Sequence, residues 1–228
     1  MRRLGCIQPS YIPWRGFFHI IHRSDVFVFH EDIQYTSQDW RNRNRIKTQN
    51  GVVWMTVPVK KRTTKGNIID VLIDNSRPWW RKHWDLLQQS YHKAHYFRRY
   101  ADELEEIYSR HWDKLTDLDI FMTERICKWL GIETEFVRSP SIGVSGVKTD
   151  RLIQMCQKLD VTHYLSGPTA KDYIEQVKFD ATGVVLEFQT YNYREYPQLH
   201  GTFEPFVSVL DLLFNCGDHS MDYIIDHV

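Results

Sequence analysis

The first thirty residues restrict the fold more than anything later in the chain. Residues 4–7 form a short apolar run, Gln8-Pro9-Ser10 breaks it, and apolar residues at helical spacing then run from Trp14 through Phe17, Phe18, Ile20 and Ile21 to Arg23. Residues 25–29 (DVFVF) are a compact β-rich run. Strand, turn, helix and strand in so little chain is the grammar of a parallel α/β unit, since parallel neighbours must be joined by a crossover.

The rest of the chain repeats that grammar with two interruptions. Residues 43–47 and 52–59 predict strands joined by the tight-turn pair Asn50-Gly51, a hairpin inserted after the second strand. A further strand is expected at 68–73. From 78 to about 131 the apolar positions recur at three and four, which fits three helices, the last capped by Gly131. Strands at 134–137, 163–165 and 184–191 then alternate with helices at 149–159 and 169–176, and an apolar helix covers 206–214. The expectation is an α/β protein: a mainly parallel sheet with flanking helices, Rossmann-like or nucleotidyltransferase-like, carrying a β-hairpin insertion and a helical insertion at about 78–131. With no internal repeat, low-complexity tract or long linker, residues 1–228 read as a single domain.

Composition narrows the function classes. No run of eighteen apolar residues occurs, and the start is too short in apolar residues for a secretory signal, so a cytoplasmic protein without a membrane partner is expected. Cys6, Cys127, Cys156 and Cys216 are scattered without metal-type spacing and are expected as reduced, mostly buried thiols, with Cys216 as a weaker nucleophile candidate. His19 and His22 share a helix face but lack a clear third ligand, so no metal is expected, and no cofactor is identified. The net charge of zero hides a dipolar chain: residues 1–100 carry 18 Lys and Arg against 7 Asp and Glu, residues 101–228 carry 11 against 22. Either the two halves neutralise each other, or the cations of the first converge on an anionic ligand.

Ligands in open α/β sheets bind at the carboxyl ends of strands, which directs attention to the loop from Gln8 to Gly16. Pro9 and Pro13 stiffen it, Gly16 permits close approach at a helix N-terminus suited to phosphate, and Tyr11 and Trp14 offer ring faces for a base or sugar. The second strand ends in His30-Glu31-Asp32-Ile33-Gln34-Tyr35. Its carboxylates are candidates for a general base or a hydroxyl clamp, so Gln8, Asp32 and Gln34 are the candidate catalytic groups, with Tyr35 beside them. In WRNRNRIK at 40–47, strand periodicity puts Arg41, Arg43, Arg45 and Lys47 on one side and Asn42 and Asn44 on the other. Four adjacent cations repel one another unless a counter-charge arrives, and Arg43, Arg45 and Lys47 with Lys60 are expected to hold a diphosphate. Ser166-Gly167 forms a strand-to-helix turn that could meet an oxyanion. Ser208, Asp211 and Asn215 make a polar stripe that reads either as a buried hydrogen-bond network or as part of the site.

In combination, Gln8-Pro-x-Tyr-x-Pro-Trp-x-Gly-Phe, Asp32-x-Gln-Tyr35, Trp40-x-Asn-Arg-Asn-Arg-Ile-Lys47, Val57-Pro-Val-Lys60, Tyr164-Leu-Ser-Gly167 and Ser208-x-Leu-Asp211 resemble the WbqC-like family, from about residue 4 to about 217. The resemblance implies a cytoplasmic part in making a bacterial surface polysaccharide of O-antigen type, with transfer of an acyl or aminoacyl group to the amino group of a nucleotide-linked sugar as the activity. The partners would be that sugar nucleotide, or another phosphate-bearing small molecule, and an acyl or aminoacyl donor, aminoacyl-tRNA included. His30-Glu31 and His95 depart from the family's pattern. Two other readings stand beside this one: a nucleotidyltransferase, and a non-catalytic protein that binds tRNA, a glycan intermediate or a partner enzyme.

Overall fold

The computed structural model describes residues 1–225. Five strands form one parallel sheet: β1 (Arg3–Ile7), β2 (Val26–Phe29) and, after the inserted segments, β5 (Glu135–Arg138), β6 (His163–Ser166) and β7 (Val185–Phe188). Between β2 and β5 lie the antiparallel hairpin β3 (Arg43–Thr48) and β4 (Gly51–Thr56) and three helices, α2 (Trp79–Tyr91), α3 (Phe97–Ser109) and α4 (Leu115–Leu130). The remaining helices are α1 (Arg15–His22), α5 (Ser139–Ile142), α6 (Lys148–Lys158), α7 (Gln176–Asp180) and α8 (Val209–Cys216). The sheet order β5-β2-β1-β6-β7 runs 3-2-1-4-5 when its strands are numbered among themselves, and every pairing is parallel.

The expected α/β architecture with its hairpin and helical insertions is therefore present. Two segments differ. Residues 68–73 form a single 3-10 turn, Ile68–Asp70, flanked by isolated bridges of Val59 to Ile73 and Leu72 to Lys114. The apolar run there docks on α4 instead of pairing along its length. Residues 169–176 form a 3-10 turn, Pro168–Asp172, and only then α7, with the chain leaving helical geometry at Tyr173, φ −134°.

Two cores cover the two faces of the sheet. Phe27, Phe29 and Leu165 point toward α1, the helical insertion, the hairpin and α8, while Leu4, Cys6, Val26, Val28 and Tyr164 point toward α6 and α7. The alternation along β1 and β2 is the strand period divided between the two cores. At Gly5 a Cβ would fall 2.4 Å from Ser24 Oγ and 3.1 Å from Ile20 Cγ2, so the glycine lets α1 lie directly on β1. α4 ends at Gly131, φ +69°, as the cap signal predicts. All four cysteines are free and buried, and burial holds the Cys216 thiol up at about 11, which removes it as a nucleophile. Among the described residues no helix is long and apolar enough to cross a membrane.

Candidate functional site

The strand order reverses between β1 and β6. From β1 the chain turns to α1 on one face, and from β6 it turns to α7 on the other, so the two loops diverge and leave a crevice at the strands' carboxyl ends. Gln8, half-buried, and Ser166-Gly167 stand on either side of that divide. β2, next to β1, delivers His30, Glu31 and Asp32 to the same edge.

The acids there are already engaged. Glu31 has no exposed surface, and its two carboxylate oxygens accept from Arg138 Nε at 2.5 Å and Nη2 at 2.6 Å, a bidentate pair across neighbouring strands. Asp32 accepts from Ser139 Oγ at 2.5 Å and from Arg151 Nη2, while Ser139 Oγ in turn accepts from the Glu31 N–H at 3.1 Å. Burial pushes the Asp32 carboxyl up, but the hydrogen bonds from Ser139 and Arg151 outweigh it and hold the group below its ordinary value. An ionised, doubly held carboxylate is a poor proton acceptor, so the assignment of Asp32 as general base is corrected to an anchor for Arg151.

Arg151, in the first turn of α6, also donates from Nε to His30 Nε2 at 3.1 Å. That bond fixes the His30 tautomer with its proton on Nδ1. Burial, reinforced by the Arg151 charge, pulls His30 down to about 4, so its imidazole is neutral at pH 7. The carboxyl edge of the sheet thus holds a cation, a carboxylate that positions it and a neutral imidazole. Arg151 was missed from sequence, although an arginine in a helix's first turn opposes the helix dipole and implies a compensating partner.

The other predicted residues divide by burial. Tyr11 is fully buried, with its hydroxyl 2.8 Å from His83 Nδ1 and 2.6 Å from Tyr108 Oη, so it offers no ring face to a ligand. Trp14 packs against Tyr191 and Tyr193 and lies over Gly16, where a Cβ would fall 1.4 Å from Trp14 Cζ3. Gly16 therefore makes room for an indole, not for an anion. Asn44 Nδ2 donates to the carbonyls of Tyr11 and Ile12, clamping a turn in which Ile12 takes φ +37°, a strained value for a β-branched residue. Asn42 donates to the Val57 carbonyl, and buried Arg41 reaches the carbonyl of Pro9, also buried. The rigid turn at 8–16 is held by the hairpin and α8, through Tyr11 N to Trp40 O and Val209 N to Pro13 O, and serves packing first.

Gln34 donates to the Gly66 carbonyl at 3.1 Å and buried Tyr35 pairs with the same residue, which removes both from the crevice. Lys47 is buried under residues 198–202, donating to Gln198 Oε1 at 2.9 Å and the Thr202 carbonyl at 2.5 Å, so it is not a phosphate ligand. Asp211 is the hub of a buried network, accepting from Tyr91, Tyr196 and Gln198. Ser208 caps α8 through Leu210 N. The polar stripe on α8 is therefore structural. Arg43 and Arg45 stay half-buried on the outer face of the hairpin, and half-buried Lys60 follows it.

Fold and site together define a doubly wound α/β protein with a cation, an acid and an imidazole beyond the carboxyl end of β2, next to the central strand β1. The chain belongs to the WbqC-like protein family, whose profile matches residues 8–223. It is similar to the uncharacterized protein Rv1507c of Mycobacterium tuberculosis (strain ATCC 25618 / H37Rv), with 41% identity over 227 residues that cover 98% of each chain. No solved structure matches it.

Proposed function

We propose that the protein is a transferase that binds a nucleotide-linked amino sugar at this edge and moves an acyl or aminoacyl group onto the sugar's amino group, in making a bacterial surface polysaccharide. The observation that carries this reading is the Arg151, Asp32 and His30 set at the carboxyl edge of the sheet, beyond β2 and beside β1, the strand at which the order reverses. Arg151 pairs with the diphosphate, since a guanidinium fork matches phosphate oxygens. Asp32 keeps free lone pairs for a ribose or sugar hydroxyl. His30, neutral at pH 7 with its proton on Nδ1, donates that N–H to a substrate oxygen, and the proton released by the attacking amine leaves on the departing thiolate or alkoxide. In the step itself the amine nitrogen attacks the acyl carbonyl, the amide C–N bond forms, the thioester or ester bond of the donor breaks, and the leaving group departs with the electron pair.

Titration calorimetry with UDP-, dTDP- and GDP-linked amino sugars tests the binding, followed by mass spectrometry of the sugar after incubation with acyl thioesters or aminoacyl-tRNA. The expected result is saturable binding by one sugar nucleotide that falls at least tenfold in Arg151→Ala, with a mass increase of one acyl or aminoacyl group. No binding by any sugar nucleotide at millimolar concentration would end this reading.

A further inference from the structure

Some cations of the first hundred residues meet acids of the second half. Arg2 pairs with Glu135, Arg3 and Arg23 with Glu187, and Arg99 with Asp218, each a first-half cation meeting a second-half acid. Residues 36–65 carry eight Lys and Arg against one acid, Asp39, which faces Arg41. With Arg41 and Lys47 buried, six cations remain at the surface: Arg43, Arg45, Lys60, Lys61, Arg62 and Lys65. Among the described residues none of these six makes an ion pair. All six lie within 23 positions of the sequence, residues 43–65.

The same surface bears exposed aromatic rings. Trp54 is 46% exposed and Trp40 37% exposed, their ring centroids 5.4 Å apart. The Arg43 guanidinium lies 4.3 Å from the Trp54 ring centroid, and Arg45 lies 5.6 Å from Trp54 and 6.0 Å from Trp40. The guanidinium faces are thereby held on indoles; Arg43 Nη2 donates to the Gln38 carbonyl, and the Nε atoms of both arginines are buried without a partner. Gln38, Asp39, Trp40, Arg43, Arg45 and Trp54 line an open depression of about 350 Å³. The basic loop follows the hairpin closely in the chain: Arg43 pairs with Thr56 at the base of the hairpin, four residues before Lys60, and Gly66 is tied back to Tyr35.

We propose that this face, Trp40, Arg43, Arg45 and Trp54 with the basic 60–65 loop, binds a single-stranded nucleic-acid segment. Bases stack on the indoles and successive phosphates meet the guanidinium forks and then the lysines. Six cations without an ion-pair partner, close together in sequence, suit a chain of phosphates better than the two of a nucleoside diphosphate. The face lies on the α1 side of the sheet and Arg151 on the α6 side, so this proposal does not rest on the transfer reading.

Fluorescence anisotropy of the full-length protein with a labelled twelve-nucleotide RNA, the same sequence as DNA, its duplex and the free mononucleotides tests it. The expected result is binding of the single strands, weakening about 50-fold between roughly 50 and 200 mM salt for four phosphate contacts. Arg43→Gln/Arg45→Gln is expected to reduce the salt slope by about 1.4, and Trp54→Ala to weaken binding roughly 5- to 150-fold. Circular dichroism confirms the fold of each variant, and Trp40→Ala replaces Trp54→Ala should the latter unfold. A preference for RNA over DNA, or none, identifies the sugar and supports the proposal either way. Preference for the duplex, displacement by mononucleotides as effective as by the oligomer, affinity flat across salt, or no binding each overturns it.

Discussion

Lys47 and Asp211 are joined by a single side chain. Gln198 accepts from the Lys47 ammonium at 2.9 Å and donates to Asp211 Oδ1 at 2.8 Å, so an amide bridges a cation on the hairpin and an acid on α8. The segment that carries Gln198 also contributes Tyr196 to Asp211, and Tyr191, Tyr193, Tyr196 and Phe203 surround the guanidinium of buried Arg15 at 5.2 to 5.8 Å. Residues 191–206 have almost no regular structure of their own and are held down by these contacts.

Lys47→Met should therefore release that segment. The lost ammonium takes the donor from the Thr202 carbonyl and one of the two donors from Gln198 Oε1, a cost of about 1–2 kcal/mol. Urea denaturation measures the loss, and limited proteolysis should show new cleavage within 191–206. Unchanged stability together with unchanged protease resistance would contradict this account.

Tyr11→Phe removes one oxygen and leaves two buried partners unsatisfied, His83 Nδ1 and Tyr108 Oη. A destabilisation of about 2 kcal/mol is expected. Sugar-nucleotide affinity should be unaffected, because the ring is enclosed in the core. A selective loss of affinity without loss of stability would return Tyr11 to the binding surface.

Acid should unfold the protein partly through His83. Burial lowers this histidine from 6.5 to about 4, so the unfolded chain binds more protons than the folded one between those values. Its contribution is complete above about pH 6.5 and is lost as the pH falls toward 4, amounting to about 3 kcal/mol. His30, lowered in the same way, acts in the same window. Thermal melts at pH 7 and 4.5 should show a smaller drop for His83→Gln than for the parent, and an equal drop would show that His83 is not buried neutral.

Arg138→Met should be among the most damaging single changes at the sheet edge. It strands the fully buried Glu31 carboxylate without its bidentate partner, at a cost of about 3–5 kcal/mol. Adding Glu31→Gln should restore part of the stability, which a double-mutant cycle by urea denaturation measures. Additive losses would mean the two residues do not act as a pair.

Much of the fold was legible because its signals are local. The 4–29 unit, the Asn50-Gly51 hairpin and the Gly131 cap each depend on residues within a few positions, where periodicity and allowed backbone angles decide the outcome. The strand-like reading of 68–73 failed because an apolar hexamer does not say whether it will find a strand or a helix to pack on.

The site was less legible, since what a side chain does there depends on what stands opposite it. From the sequence alone came the parallel α/β core, the loops that emerge at its carboxyl edge and the cation-rich hairpin. Only the tertiary structure decided which charges are used: Asp32 is taken by Arg151 from 119 positions away, Lys47 by Gln198 from 151, and Tyr11 by His83 from 72. Arg43 and Arg45, on the same side of the same strand as Lys47, make no ion pair among the described residues because no acid from the second half of the chain is brought opposite them. Local sequence sets backbone geometry through short-range sterics, while burial and charge pairing are set by which distant segments the fold brings together.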